Sequence, residues 1–515
     1  MMVCIQRLRG PIALLAVSAI ASCAPDPTDE EPARNAAARP LTGVVAPTDP
    51  RLETLRAELA AMVERGEVVS ISVGVAKAGE VIWSESFGWA DRESERPATP
   101  DTPYLLASLS KSVSATALMT LVDDGRIRLY DSVDSLIAPL ALRGYGGIDG
   151  RRVTVRDLLH SSGGIPHGWF SAESPAALPE RKSFLPWSGM VVFPPGEAWQ
   201  YSNFSFGLTE VVVEAVTDQD YEEFVRNALF VPLGMDDASA RYVDEMDETS
   251  AVLYSSSLAR LASRGGAVPF AGLGMFASVN DLLAFGTFHA DPGRGGPVSS
   301  ESVGLMHDYE GLSDIFGLGW YRMNHTLVSN GSAGGTNTHL AVHRGEDLVV
   351  VALTNMTSQS AITDQVAGRI LEVFVDPLPE EERYGYEEYA AAYENPYQVT
   401  AEFAGRWEGR LSAPGLASTP AVLTFAPDGA VALEIGDAPA TVLDGLVFNT
   451  KSRFKGQATA TFPALFPEDG GAGEARIGPN LLRTGDRLVG YLAIERSGED
   501  YSYSVGVFAE FDKRE

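Results

Sequence analysis

Ser108 and Lys111, three residues apart at the head of an apolar helical stretch, are residue types that make a hydroxyl nucleophilic without a histidine. Residues at this spacing on a helix are neighbours, so the Lys111 amine can reach the Ser108 hydroxyl. The helix N-terminus adds partial positive charge, which favours an alkoxide and disfavours an ammonium. A free lysine titrates near 10.4, so base work near pH 7 needs a downward shift of roughly three units, about 4 kcal/mol in favour of the neutral amine. Desolvation can supply it. By itself the spelling is weak, because serine is a common helix cap and Ser452-Arg453-Phe454-Lys455 repeats the S-x-x-K form. The second copy has no apolar helix around it and reads as chance.

Two further groups raise the odds. In Tyr201-Ser202-Asn203, a tyrosine can shuttle protons to a leaving group and an asparagine amide can hold a substrate carbonyl. Tyr393-Glu394-Asn395 matches the same triplet, so context again carries the weight. In Ser332-Ala333-Gly334-Gly335-Thr336, small residues before a strand let a substrate approach the backbone, and an N–H from this edge can join that of Ser108 in an oxyanion hole. A flexible glycine turn is the plainer reading of that segment taken alone.

The elements that must position these residues are visible in the periodicity. Leu52, Leu55, Leu59, Met62 and Val63 recur at helical spacing, and Val69 to Val75 alternate as a strand that turns at Ala78-Gly79 into Val81-Ile82-Trp83. Downstream, Leu340 to His343, a turn at Gly345-Glu346-Asp347 and Leu348 to Leu353 form a second hairpin, followed by a helix with Ile362, Val366, Ile370 and Leu371. Hairpins from both ends can pair into one sheet with the terminal helices on its face, leaving a mainly helical insert between them. Val113, Ala117 and Leu121 share a helical face with Gly125 as its cap, Thr154 to Asp157 reads as a helix start, and Phe206 to Val216 and Tyr221 to Leu229 are helical. After Asp376 a Pro- and Glu-rich run marks a boundary, and Tyr384 to Tyr393 is read as a short connecting helix. From Phe403 short alternating segments indicate a small barrel or sandwich.

The 515 residues exceed what one core usually organises, and a formal charge of -30 argues against nucleic acid and anionic lipid as partners. Arg7 and Arg9 precede an apolar run, Ile12 to Ala21, too short to span a bilayer. Residues 1–22 therefore read as a signal peptide. Ile20-Ala21-Ser22-Cys23 resembles a bacterial lipobox with Cys23 as the lipidated residue, and residues 23–50 would be a tether. The expected address is a periplasmic or cell-envelope lipoprotein that meets the membrane only through its lipid. Cys4 and Cys23 are the only cysteines, so cysteine-based zinc sites and cysteine nucleophiles are excluded. The seven histidines show no metal spacing, and no cofactor is expected.

Taken together, Ala107 to Lys111, Asp157 to Pro166, Pro195-Gly196-Glu197 with Tyr201-Ser202-Asn203, and Ala271 to Ser278 resemble the serine β-lactamase and penicillin-binding-protein family, in particular its class C and D-alanyl-D-alanine carboxypeptidase-like branch. The resemblance runs from about Arg51 to Val375. It implies an α+β fold with an antiparallel sheet, terminal helices and a helical insert over 51–376; the residue pattern beyond it adds a linker at 377–398 and a small all-β domain over 399–515. It also implies Ser108 as the acylated nucleophile, Lys111 as its activator, Tyr201 as proton shuttle, Asn203 as a substrate contact and Gly335 as the second oxyanion donor. Ser332 and Gly334 would line the same strand. Members of the family usually open the third motif with Lys, His or another distinctive residue, and here that place falls to Ser332, with no Lys or Arg between Arg322 and Arg344. Without a cation to grip a carboxylate, weight shifts to an ester, amide or peptide-like substrate. A non-catalytic binding or sensor protein, and a true β-lactamase or D-Ala-D-Ala carboxypeptidase, are the alternatives.

Overall fold

The computed structural model describes residues 45–172, 181–262, 267–308, 311–313, 315–357, 362–379, 382, 394–396, 402–449, 453–466, 473–497 and 501–514. Residues 1–22, Cys23, most of the expected tether and Tyr384 to Tyr393 lie outside them.

Leu52, Leu55 and Leu59 are buried along one side of α1 (Pro50–Glu64), whose first N–H is capped by Asp49. The chain then forms the antiparallel hairpin β1 (Ser70–Lys77) and β2 (Glu80–Asp91). The insert follows, with α2 (Ser110–Asp123), α3 (Val155–Leu159), the short strand β3 (Trp169–Ala172), α4 (Asn203–Thr217) and α5 (Val279–Ala290). Thr154 and Asp157 start α3 with a reciprocal capping box. The chain returns to the sheet through β4 (Tyr321–Met323), β5 (Thr326–Ala333), β6 (Thr336–His343) and β7 (Leu348–Thr354), and closes the first domain with α6 (Ile362–Phe374).

The resulting antiparallel sheet runs β4-β5-β6-β7-β1-β2, with Arg96–Pro97 at its edge. Val73 faces Ala352 across the junction of the two ends. Side chains alternate across the sheet. Val73, Val75, Val350 and Ala352 pack with Leu55 of α1 and Ile370 of α6, while on the other face Gly74 leaves room for Val279 and Leu283 of α5.

The second domain is a closed eight-stranded antiparallel barrel, which resolves the expected barrel or sandwich. Its strands are β8 (Gly405–Ala413), β9 (Leu416–Phe425), β10 (Val431–Ile435), β11 (Thr441–Asn449), β12 (Arg453–Phe462), β13 (Gly473–Thr484), β14 (Arg487–Ser497) and β15 (Tyr501–Lys513). Pairing of Trp407 with Lys513 closes β8 onto β15. Trp407, Leu423, Phe425 and Phe454 are buried, and the rings of Phe425 and Phe454 lie 5.1 Å apart, so side chains occupy the inside, as an eight-stranded barrel permits. The first residues of β15, Tyr501 to Ser504, pair with β3 and join the barrel to the insert.

Candidate active site

Ser108 sits in a 3₁₀ turn, Ala107–Leu109, that tightens the entry to α2 one turn earlier than periodicity alone implies. Ala107 has φ +49°, a left-handed conformation that costs an alanine about 1–3 kcal/mol and persists only where the surroundings impose it. Here they do. Leu106 N donates to Met275 O (2.8 Å), while the Thr336 and Thr338 hydroxyls of β6 donate to Leu105 O and Leu106 O (2.8 Å each). Ser108 emerges half-buried between buried neighbours.

Lys111, 2% exposed, directs Nζ at three oxygens: Asn203 Oδ1 (2.6 Å), Gly272 O (2.6 Å) and Ser108 Oγ (3.2 Å). The Tyr201 ring lies 4.6 Å from Nζ and the Phe206 ring 5.8 Å. Burial holds the Lys111 amine well below its usual value. The structure therefore gathers Ser108, Lys111, Tyr201 and Asn203 into one cluster. Ser202 caps α4 through the Ser205 N–H and donates to Pro166 O (2.7 Å), which places Asn203 at the helix start.

A β-lactamase family model matches residues 55–372, more than half of the sequence. The chain belongs to the β-lactamase family. Protein flp of Staphylococcus aureus is 24% identical over 320 residues, covering 58% of this chain and 61% of that protein, so the match spans less than two thirds of that relative. Penicillin-binding protein 4* of Bacillus subtilis is 30% identical over 173 residues, 32% of this chain and 37% of that one. The octameric penicillin-binding protein homologue from Pyrococcus abyssi shares the fold at TM-score 0.55 and 21% identity, covering 88% of this chain and 99% of that one. SurE with D-Leu does so at TM-score 0.58 and 20% identity, with the same coverage.

The third segment of this β-lactamase-family protein lies beside Ser108 in a register that differs from the sequence expectation. Gly331, on β5, faces Ser108: a Cβ there would stand 2.2 Å from Leu106 O and 2.7 Å from Ser108 N, so only glycine fits. Ser329, two residues earlier, hydrogen-bonds to Ser112 of α2 at 2.8 Å. Gly335, expected as an oxyanion donor, instead gives its N–H to Thr357 Oγ1 (2.7 Å), and a Cβ there would meet Leu253 and Leu261 rather than Ser108. Gly334 is an exposed turn residue with open space beside it, and Ser332 is exposed, its Oγ accepting from Asn337 Nδ2 (3.1 Å). The hairpin turn accounts for the difference. It places Gly334-Gly335 beyond the strand, and the residues that pass Ser108 come just before it.

Several contributors carry no signal in the sequence. The Gly272 carbonyl reaches Lys111 because Ala271 N donates to Glu210 (2.7 Å) and Ala271 O accepts from the Ser114 hydroxyl (2.8 Å), fixing the turn Phe270–Gly274. Gly272 belongs to a block that carries the family resemblance, yet spelling does not say that its carbonyl is the working atom. His167 packs its ring 5.5 Å from that of Tyr201, and its Nδ1 accepts from Asn203 N (3.4 Å). Burial, with Lys111 nearby, pushes His167 down to about 3. Its Nδ1 is thus an acceptor and the imidazole is neutral near pH 7. Lys455 lies on barrel strand β12 rather than on a helix, and Ser452 is outside the described residues. Among the described residues no group of three His, Cys, Asp or Glu is placed to hold a metal.

Proposed function

We propose that the protein is an exported serine hydrolase, lipidated at Cys23, that cleaves ester, amide or peptide-like substrates through an acyl-enzyme on Ser108. The observation that carries this reading is the polarity around Lys111. Gly272 O can only accept, and Asn203 presents its amide oxygen, also an acceptor, to the amine. A neutral amine has two N–H donors, and these two acceptors use both. Its lone pair is left for Ser108, so the hydroxyl becomes the donor across the 3.2 Å contact and the amine is poised as base.

Acylation then proceeds as follows. Ser108 Oγ bonds to the substrate acyl carbon as its proton passes to Lys111 Nζ, and the carbonyl oxygen takes up the negative charge. The bond to the leaving group breaks, and the proton leaves on that group, with Tyr201 beside Lys111 as the relay. Water repeats the sequence on the acyl-enzyme, regenerating Ser108 and releasing the acid. For the oxyanion, the Ser108 N–H is one donor. Ala333 and Thr336 close the two-residue turn as a hydrogen-bonded pair, so alternation along the ladder turns the Ser332 N–H to the outer edge of β5, the edge that Gly331 brings to Ser108. Ser332 thus replaces Gly335 as the second donor, through its backbone.

The absence of Lys and Arg between Arg322 and Arg344, in a chain of formal charge -30, favours substrates without a carboxylate beside the scissile bond. A fluorophosphonate or activated ester is expected to label Ser108, and equal labelling and turnover by Ser108→Ala would overturn the reading. Activated esters, a cephalosporin and D-amino-acid peptides, each run against Ser108→Ala, give the substrate class, with turnover expected on the esters. For the address, Cys23→Ala is expected to leave the membrane fraction.

A further inference from the structure

Gln200 immediately precedes Tyr201, and its buried side chain reaches the barrel. Its Nε2 donates to Tyr201 O (3.0 Å) and to the Tyr491 hydroxyl of β14 (3.0 Å), while its Oε1 accepts from Asn480 Nδ2 of β13 (3.0 Å). Asn480 Nδ2 also donates to the Tyr491 hydroxyl (3.1 Å), closing a triangle of three side chains that are 8%, 7% and 3% exposed. On the His167 side, β15 pairs with β3 from Trp169, two residues after His167. Gly168 packs against Ser504 O, and Gly506 against Pro166. Both segments that flank Lys111, 166–169 and 199–201, are therefore held from the barrel side. An interface that served adhesion alone would do as well with apolar groups, whereas a buried polar triangle fixes one register and costs free energy if it slips.

We propose that the barrel is a working part of the active site, in which Gln200, Asn480 and Tyr491 are positioning residues that set Tyr201 against Lys111. The inference rests on the acyl-enzyme reading for its kinetic consequence, but not for its structural one. The test uses the full-length protein with Tyr491→Phe, which keeps the ring against Phe193 and removes the hydroxyl, and with Gln200→Ala. Leu433→Ala, a buried barrel substitution on β10 away from the triangle, is the control. With an activated ester, both triad variants are expected to lose roughly tenfold in kcat with KM within about twofold, because misplacement of a reacting group acts on the chemical step. The double variant is expected to be no slower than the slower single one, since both break the same link. Leu433→Ala is expected to lower the melting temperature and leave kcat unchanged. Hydrogen exchange at 199–203 is expected to quicken in the triad variants and not in the control. Unchanged kcat and exchange in both triad variants, well below their melting temperatures, would overturn the proposal. If wild type is not acylated at Ser108, the hydrolase reading fails and the exchange result alone decides the positioning.

Discussion

Lys111 differs from a surface lysine in the kind of atom around it: two obligate acceptors and one hydroxyl, about a side chain that is itself buried. Burial holds its amine well below the usual lysine value, which favours the neutral base. The acylation rate is expected to rise with pH as Lys111 gives up its proton and to level off well below pH 10, read as the pH profile of single-turnover labelling. Lys111→Met, close in length but without a base, is expected to lower that rate by roughly 10²–10⁴-fold. His167, held at about 3, stays neutral above pH 5 and adds no limb to the profile there. Gly331→Ala is expected to abolish labelling, since its Cβ would displace the backbone of Leu106 and Ser108; undiminished labelling would refute the close approach. Ser108 and Lys111 were legible in the sequence because their relation is local, three residues apart where a 3₁₀ turn leads into α2. The strand residue that passes Ser108 was not, because its register depends on where the turn at Gly334-Gly335 closes, more than two hundred residues away, and His167 and the Gly272 carbonyl reach the site only through tertiary packing.

At the scale of elements, the hairpins at both ends, the terminal helices and the cap at Thr154 follow from period and punctuation, and they hold because each apolar face has one place to go. The crowding around the start of α5 was not visible. Asp281 completes a capping box with Ser278, yet it is buried beside Asp237, whose N–H it also accepts (3.3 Å). Desolvation, then Asp237, raises Asp281 to about 7; desolvation, then Asp101, raises Asp237 to about 6. In the unfolded chain both titrate near 3.9, so between about pH 4 and 7 the folded state binds more protons than the unfolded one. Their contribution to stability is therefore full below about pH 4 and is lost as pH rises through 6 and 7. Asp281→Asn keeps an acceptor for the Ser278 N–H and removes one titration. The fall in melting temperature between pH 5 and pH 8 is expected to shrink in that variant, and an undiminished fall would show that the pair does not carry it.

At the scale of the whole molecule, the two domains share a ladder, β15 on β3, and a layer of aromatic contacts. Phe170 meets Phe466 (5.3 Å) and Tyr503 (6.0 Å), Trp187 meets Phe466 (5.2 Å), and Tyr145 meets Phe508 (5.4 Å). The fold matches to the Pyrococcus abyssi homologue and SurE cover 88% of the chain, beyond residues 55–372, so the fold likeness does not stop at the β-lactamase-family domain. Composition shows that a β-rich segment follows Asp376 but not that the insert relies on it, since alternating short strands spell the same whether a barrel stands free or docks. Removing everything after Asp376 would uncover Phe170, Trp187 and Phe193, all now buried, and leave β3 without its β15 partner. Each uncovered aromatic side chain is worth roughly 1.5–3 kcal/mol of burial, and an unpaired strand edge beside an apolar patch is a site for association. Several such losses together rival the whole stability of a domain, about 5–15 kcal/mol. The truncated protein is therefore expected to be aggregated or to melt well below the full chain, by size-exclusion chromatography and thermal unfolding. A monodisperse truncation that melts with the full-length protein would mean that the first domain closes its own core, and that the barrel contacts are adhesion without structural need.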